Sequence, residues 1–202
     1  MTHERPSRFW DTDSISRVPR SMDLSYRMVA YLRTSPPAHG EGIRLALWQG
    51  TGAAATPEAV EANLARLEAV LALASGLGVQ LLAFPELYLT GYIVTPELAR
   101  ALAEPVDGPS LQRVAAAARK HGVAVACPYA ERALVAGQQR FYDAIALFGP
   151  EGQLLRNYRK THLWGPDEKL CWSPGYVWPE EGPPDRKSTR LNSSHLVISY
   201  AV

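Results

Sequence analysis

Two short apolar runs, IRLALWQ at residues 43–49 and VQLLAF at 79–84, flank a segment whose apolar residues recur at alternating spacings of four and three. Val60, Leu64, Leu67, Leu71 and Ala74 draw one stripe along a helix, the pattern of a face that packs on a core. Thr56 offers an N-cap, Pro57 fits the first helical position, and Glu58 lies where the helix dipole favours an acid. Gly76 and Gly78 supply the stop. Strand, helix and strand in this order require a parallel strand pair with a right-handed crossover, which commits the chain to an α/β fold.

The alternation then repeats. Ser110 is expected to cap a helix running to about Lys120, Gly122 to end it, and VAVAC at 123–127 to form the next strand. FYDAIALF and QLLRNY follow, joined by Gly149-Pro150-Glu151-Gly152, a four-residue turn that predicts an antiparallel hairpin continuing the sheet. No repeat of fixed period is visible.

Composition narrows the class of partner. The 202 residues are 47% apolar, enough for a real core, and carry Lys+Arg 21 against Asp+Glu 20, a formal net charge of +1. No overall field would hold such a chain on nucleic acid or an anionic membrane, so neither is expected as a partner and a small molecule is. The longest apolar stretches fall short of the roughly 20 residues of a membrane span. Cys127 and Cys171 lack CxxC spacing and no hydrophobic signal core precedes the first strand, which points to a reducing, cytoplasmic setting without disulfides. The five histidines show no HxH or HExxH spacing.

Both ends depart from this composition. Residues 1–41 are polar and rich in arginine, which suggests a disordered leader or a misassigned start, with Met22 or Met28 nearer the true one. From Arg186 the run RKSTRLNSSHLVISYAV brings in serine, asparagine and basic residues and resembles a translated sequencing adapter; LVISYAV as a genuine short strand is the alternative. The expected domain is therefore residues 42–185, with 186–202 set apart as non-native.

Three residues are candidates for chemistry. Glu86, in LLAFPELYLTGY, follows the end of a strand that should be buried and parallel, the edge at which open α/β sheets build their sites. Its apolar neighbours Phe84, Leu87 and Tyr88 would disfavour the charged carboxylate and push it toward the range of a general base. Lys160, in LRNYRKTHLWGPDE, follows another strand and could place a fixed positive charge against a developing oxyanion. Glu168, eight residues later, could orient that lysine. Position alone leaves open that Glu86 is a solvated loop acid, that Lys160 belongs with Arg156 and Arg159 to a basic stretch facing water, and that Glu168 is a surface acid.

FPELYLTGY, then RFYDAIALFGPEGQLLRNYRKTHLWGPDE, then a WSPG turn resemble, in this order, the nitrilase superfamily of carbon-nitrogen hydrolases, in the branch of amidases, N-carbamoyl hydrolases and omega-amidases. The resemblance covers about residues 43–182. It implies a four-layer αββα sandwich, here incomplete, and a Glu-Lys-Cys catalytic set without cofactor or metal. Glu86 matches its general base, Lys160 its oxyanion-stabilising lysine, and Glu168 the second glutamate that positions the lysine. It also implies a small amide or nitrile substrate and a parent protein that is a homo-oligomer.

In the family the nucleophilic cysteine follows the WSPG-like turn by roughly two strands, and here the adapter-like run begins where that strand should come. Cys171 precedes the turn and Cys127 lies inside the VAVAC strand, so neither is expected to be the nucleophile, and a Cys171–His162 pair has nothing to fix its geometry. The leading expectation is a hydrolase whose chain, as given, lacks the nucleophile and is inactive. A non-catalytic fragment or a pseudoenzyme that binds without turnover is the alternative. A nucleotide-binding α/β domain is disfavoured, because the first strand-to-helix connection, QGTGAAATP, has neither GxGxxG nor a P-loop lysine.

Overall fold

A computed structural model of the chain describes residues 42–50, 56–93 and 95–175. The sequence expectations for residues 1–41 and 186–202 lie outside the described residues. Five strands, β1 (Leu45–Leu47), β2 (Leu81–Ala83), β3 (Ala124–Val135), β4 (Gln138–Phe148) and β5 (Leu154–Arg159), form one sheet in that order. Four helices accompany them: α1 (Pro57–Gly76), α2 (Pro96–Leu102), α3 (Pro109–His121) and α4 (Gly165–Cys171).

The crossover is built as its residues dictate. Thr56 accepts a hydrogen bond from the Ala59 amide at 3.1 Å, Pro57 opens α1, and Leu64, Leu67, Leu71 and Ala74 of the stripe are buried. β1 pairs parallel with β2 and β2 parallel with β3; β3–β4 and β4–β5 are antiparallel. The result is an α/β fold with a mixed sheet.

Alternation along β3 and β4 assigns the two faces. Val125, Cys127, Tyr129, Tyr142, Ala144, Ala146 and Phe148 join the core formed with α1 and α3, whereas Asp143, Ile145 and Leu147 point the other way. That second face leaves Leu45 (50% exposed), Leu47 (62%), Ile145 (37%) and Tyr158 (52%) open. One helical layer and one sheet layer of the sandwich implied by the resemblance are present, and among the described residues no second sheet covers the open face.

Two expectations need correction. Ser110 is not the cap of α3: Gly108 is the N-cap and Pro109 opens the helix, while the Ser110 amide donates to Glu104 Oε2 at 3.1 Å. The β3 strand does not stop at Cys127 but runs to Val135 and turns through Ala136-Gly137, both at positive φ (50° and 77°), into β4. Positive φ at both central positions is the hairpin turn that matches strand twist. Two further elements, α2 and α4, carry no expectation from the sequence: they are seven-residue helices with too few turns to show a period.

Candidate functional site

The loop after β2 is anchored before it delivers any chemistry. The Phe84 amide donates to Ala126 O and the Leu89 amide to Pro128 O, so the loop follows β3. Asn63, buried in α1, donates through Nδ2 to Leu89 O at 3.2 Å, and the Tyr88 hydroxyl donates to Asn63 O at 3.4 Å. Leu87 sits at φ 50°, a left-handed conformation unfavourable for a leucine. It is held there by burial in a second cluster with Ile93, Ala99, Ala130, Cys171 and Trp172. The chain thus turns Leu87 into the core and leaves the preceding Glu86 pointing away from it.

The sequence expected apolar neighbours to sheathe Glu86. They do not: Phe84, Leu87 and Tyr88 are all under 8% exposed within the core, and the Glu86 side chain remains 42% exposed. Its partner is Lys160, immediately beyond β5, whose Nζ lies 2.5 Å from Glu86 Oε1. The same ammonium is 2.9 Å from Glu168 and 3.5 Å from Asp143 Oδ2. The Lys160 amide also donates to Asp143 O at 2.8 Å, continuing the β4–β5 ladder by one rung. The structure therefore brings Glu86, Lys160 and Glu168 together, and Lys160 is not part of a solvated basic stretch.

Glu168 is not a surface acid. It is 3% exposed, in α4, and reaches back to accept from the Trp164 amide at 2.7 Å and from the Tyr92 hydroxyl at 2.5 Å. Burial alone would push its carboxyl up, but the hydrogen bonds from Tyr92, Lys160 and the Trp164 amide outweigh it and hold the group below the usual carboxylate range. Burial and the Glu168 carboxylate push the Tyr92 hydroxyl well above its ordinary value, so it stays a donor.

Asp143 and Tyr92 escaped the sequence reading. An acid inside the apolar run FYDAIALF was the available signal for Asp143, and Tyr92 stands at the end of the FPELYLTGY motif. Asp143 is 4% exposed; burial first, then the Glu86 carboxylate, pushes it up to about 8 against the pull of Lys160. Oxygens of Glu86, Asp143 and Glu168 lie within 4.8 Å of one another, a spacing that could suit a cation, and the Lys160 ammonium puts its own charge among them.

Neither cysteine joins this group. Cys127 is fully buried on the opposite, helix-covered face, and burial pushes its thiol far up. Cys171, at the end of α4, is 7% exposed; burial and then the carboxylates of Asp167, Glu97 and Glu168 raise its thiol as well, the reverse of what a nucleophilic thiolate needs.

Comparison with known proteins gives the family. The sequence model of the carbon-nitrogen hydrolase family matches residues 44–189. A hydrolase of the pqqF 5' region of Pseudomonas protegens is 43% identical over 133 residues, 66% of this chain and 44% of that protein. An (R)-stereoselective amidase from a Pseudomonas species is 43% identical over 113 residues, 56% of this chain and 38% of its own length. Among solved structures, an amidase from Nesterenkonia sp. superposes with TM-score 0.50 at 27% identity, covering 68% of this chain and 49% of its own. A double mutant of that amidase in complex with acrylamide gives TM-score 0.51 at 26% identity, covering 72% and 53%. The chain spans less than half the length of the curated relatives it matches. On the family match and the shared fold, the chain belongs to the carbon-nitrogen hydrolase family of the nitrilase superfamily.

Proposed function

We propose that this chain carries the acid-base half of a cysteine-dependent hydrolase of non-peptide carbon–nitrogen bonds, acting on a small amide or nitrile, and that the 202-residue chain does not itself turn over. The observation that supports this best is a single ammonium, Lys160, held between Glu86 from the loop after β2 and Glu168 from α4. In this reading Glu86 is the general base, Lys160 faces the oxyanion, and Glu168 positions the lysine.

The chemistry follows from those roles. Glu86 takes the thiol proton, and the thiolate attacks the amide or nitrile carbon. The negative charge that develops on oxygen or nitrogen forms opposite the Lys160 ammonium. For an amide, Glu86 returns the proton to the departing amine and then removes one from water, which hydrolyses the thioester. One carboxylate serves both halves.

The nucleophile is the missing part. In one Nesterenkonia structure acrylamide has added to the active-site cysteine; the positions of the two thiols here support reading neither as such a nucleophile. Cys127 lies across the sheet from Lys160, and Cys171 is flanked by acids.

An ammonia-release assay of the purified chain on acetamide and acrylamide tests the proposal, with no release above buffer expected. Turnover abolished by Glu86→Gln would overturn the inactive assignment. Residues 42–175 grafted in place of the matching part of the (R)-stereoselective amidase should restore release that depends on Glu86 and Lys160. A folded graft that turns over equally well as Glu86→Gln would overturn the roles.

A further inference from the structure

The Lys160 ammonium has one carboxylate too many around it. Glu86, Asp143 and Glu168 all lie within 3.5 Å of its Nζ, three acids against one cation. Two of the three are almost completely buried, Glu168 at 3% and Asp143 at 4% exposed. Glu168 is amply satisfied by Tyr92, Lys160 and the Trp164 amide. Asp143 is not: its Oδ2 is buried, 3.5 Å from the ammonium, and accepts no hydrogen bond.

A buried carboxylate oxygen without a donor is costly, and a second unpaired negative charge at this spacing more so. An ionised carboxylate can only accept, so two carboxyl groups share a hydrogen bond only if one keeps its proton. Glu168 is stabilised as an anion and Glu86 is 42% exposed beside the ammonium, which leaves Asp143, fixed mid-strand in β4 and turned to the site face, as the holder.

We infer that Asp143 is a positioning residue: it stays protonated at neutral pH and donates a hydrogen bond to Glu86, keeping Glu86 the ionised group of the pair. The inference rests on reading Glu86 as the base. The charged groups facing Asp143 are Glu86 from the loop after β2, Lys160 from the end of β5, and Glu168 from α4. Glu86 and Glu168 push the proton onto Asp143 and Lys160 pulls the other way, while burial disfavours the anion most. Asn would be the neutral mimic of such an acid, able to donate the same bond.

The test does not require turnover, so its failure is separable from failure of the proposed activity. Infrared difference spectra of the full chain labelled with 13C-carboxyl aspartate should show one protonated aspartate that ionises only near pH 8, absent from Asp143→Asn. Removing the neighbouring charge by Glu86→Gln should lower that midpoint by about one pH unit. Thermal scans provide the second readout. A raised acid binds more protons folded than unfolded, so its contribution to stability declines as pH rises from about 4 to about 8, and the advantage of Asp143→Asn over the parent chain should widen across that window. An Asp143 already ionised at pH 6, or a midpoint indifferent to Glu86→Gln, would overturn the inference.

Discussion

Lys160 Nζ and Glu86 Oε1 stand 2.5 Å apart across 74 residues of sequence, so the site exists only when β2, β5 and their following loops are all in place. Replacing Lys160 with Met would leave the buried Glu168 carboxylate without its counter-charge. The expected cost is about 2 kcal/mol, below that of a fully buried pair because Glu86 is partly exposed. Urea unfolding of K160M checks it, and adding Glu168→Gln should recover part of the loss.

A second ion pair, made by the residue preceding Lys160, lies on the opposite side of the sheet. Arg159 Nε and Nη2 donate to the two oxygens of Glu131, each at 2.7 Å, and its guanidinium lies over the Tyr142 ring at 4.2 Å. Glu131 is 2% exposed. Arg159→Ala should cost about 3 kcal/mol because it strands that buried carboxylate, and Arg159→Lys should recover little, since an ammonium cannot reproduce the fork. Chemical denaturation of both variants measures the difference.

Tyr92→Phe should move the acid limb of stability. Glu168 is held below its unfolded value, so its contribution is present above that value and disappears as pH falls through the folded one. Removing the Tyr92 donor raises the folded value, so the variant has less of this stability to lose as pH falls. It should also cost about 1 kcal/mol at neutrality. Melting temperatures from pH 2 to pH 7 should show a gap at neutrality that closes as pH falls through the carboxylate range; a gap that stays constant or widens toward low pH would sink the prediction.

The open sheet face should be sticky. Leu45, Leu47, Ile145 and Tyr158 are 37–62% exposed together on it, and among the described residues no strand pairs with the outer edge of β5. The chain is expected to bind 8-anilinonaphthalene-1-sulfonate and to self-associate in light scattering. Leu47→Glu combined with Ile145→Lys should reduce both.

How much of this was legible in the sequence depended on range. Thr56, Pro57 and the α1 stripe act within a few residues, and their helix appears where the pattern places it. Glu86, Lys160 and Glu168 were weak as isolated positions and gained meaning from ordered motifs around them. What stayed hidden was non-local. Glu131 makes β3 look finished at Cys127, because only Arg159, 28 residues on, explains a charge inside a strand. Asp143 is hidden for the same reason, its significance lying in Lys160 and Glu86 rather than in its own run. In α4 the seven residues show no period, and the helix is fixed by Glu168 folding back on Trp164.

The WSPG turn bears a consequence of its own. The Ser173 amide donates to Phe141 O at 2.7 Å and the Gly175 amide to Lys160 O at 2.8 Å, stitching the turn to the ends of β4 and β5. A side chain at Gly175 would collide with the Arg159 backbone, so the close approach depends on glycine. Gly175 is therefore held against the backbone of Arg159 and Lys160, just past the end of β5. A side chain there would be felt in two ion pairs at once, Arg159 with Glu131 and Lys160 with Glu86, because one turn packs against the backbone of both basic residues.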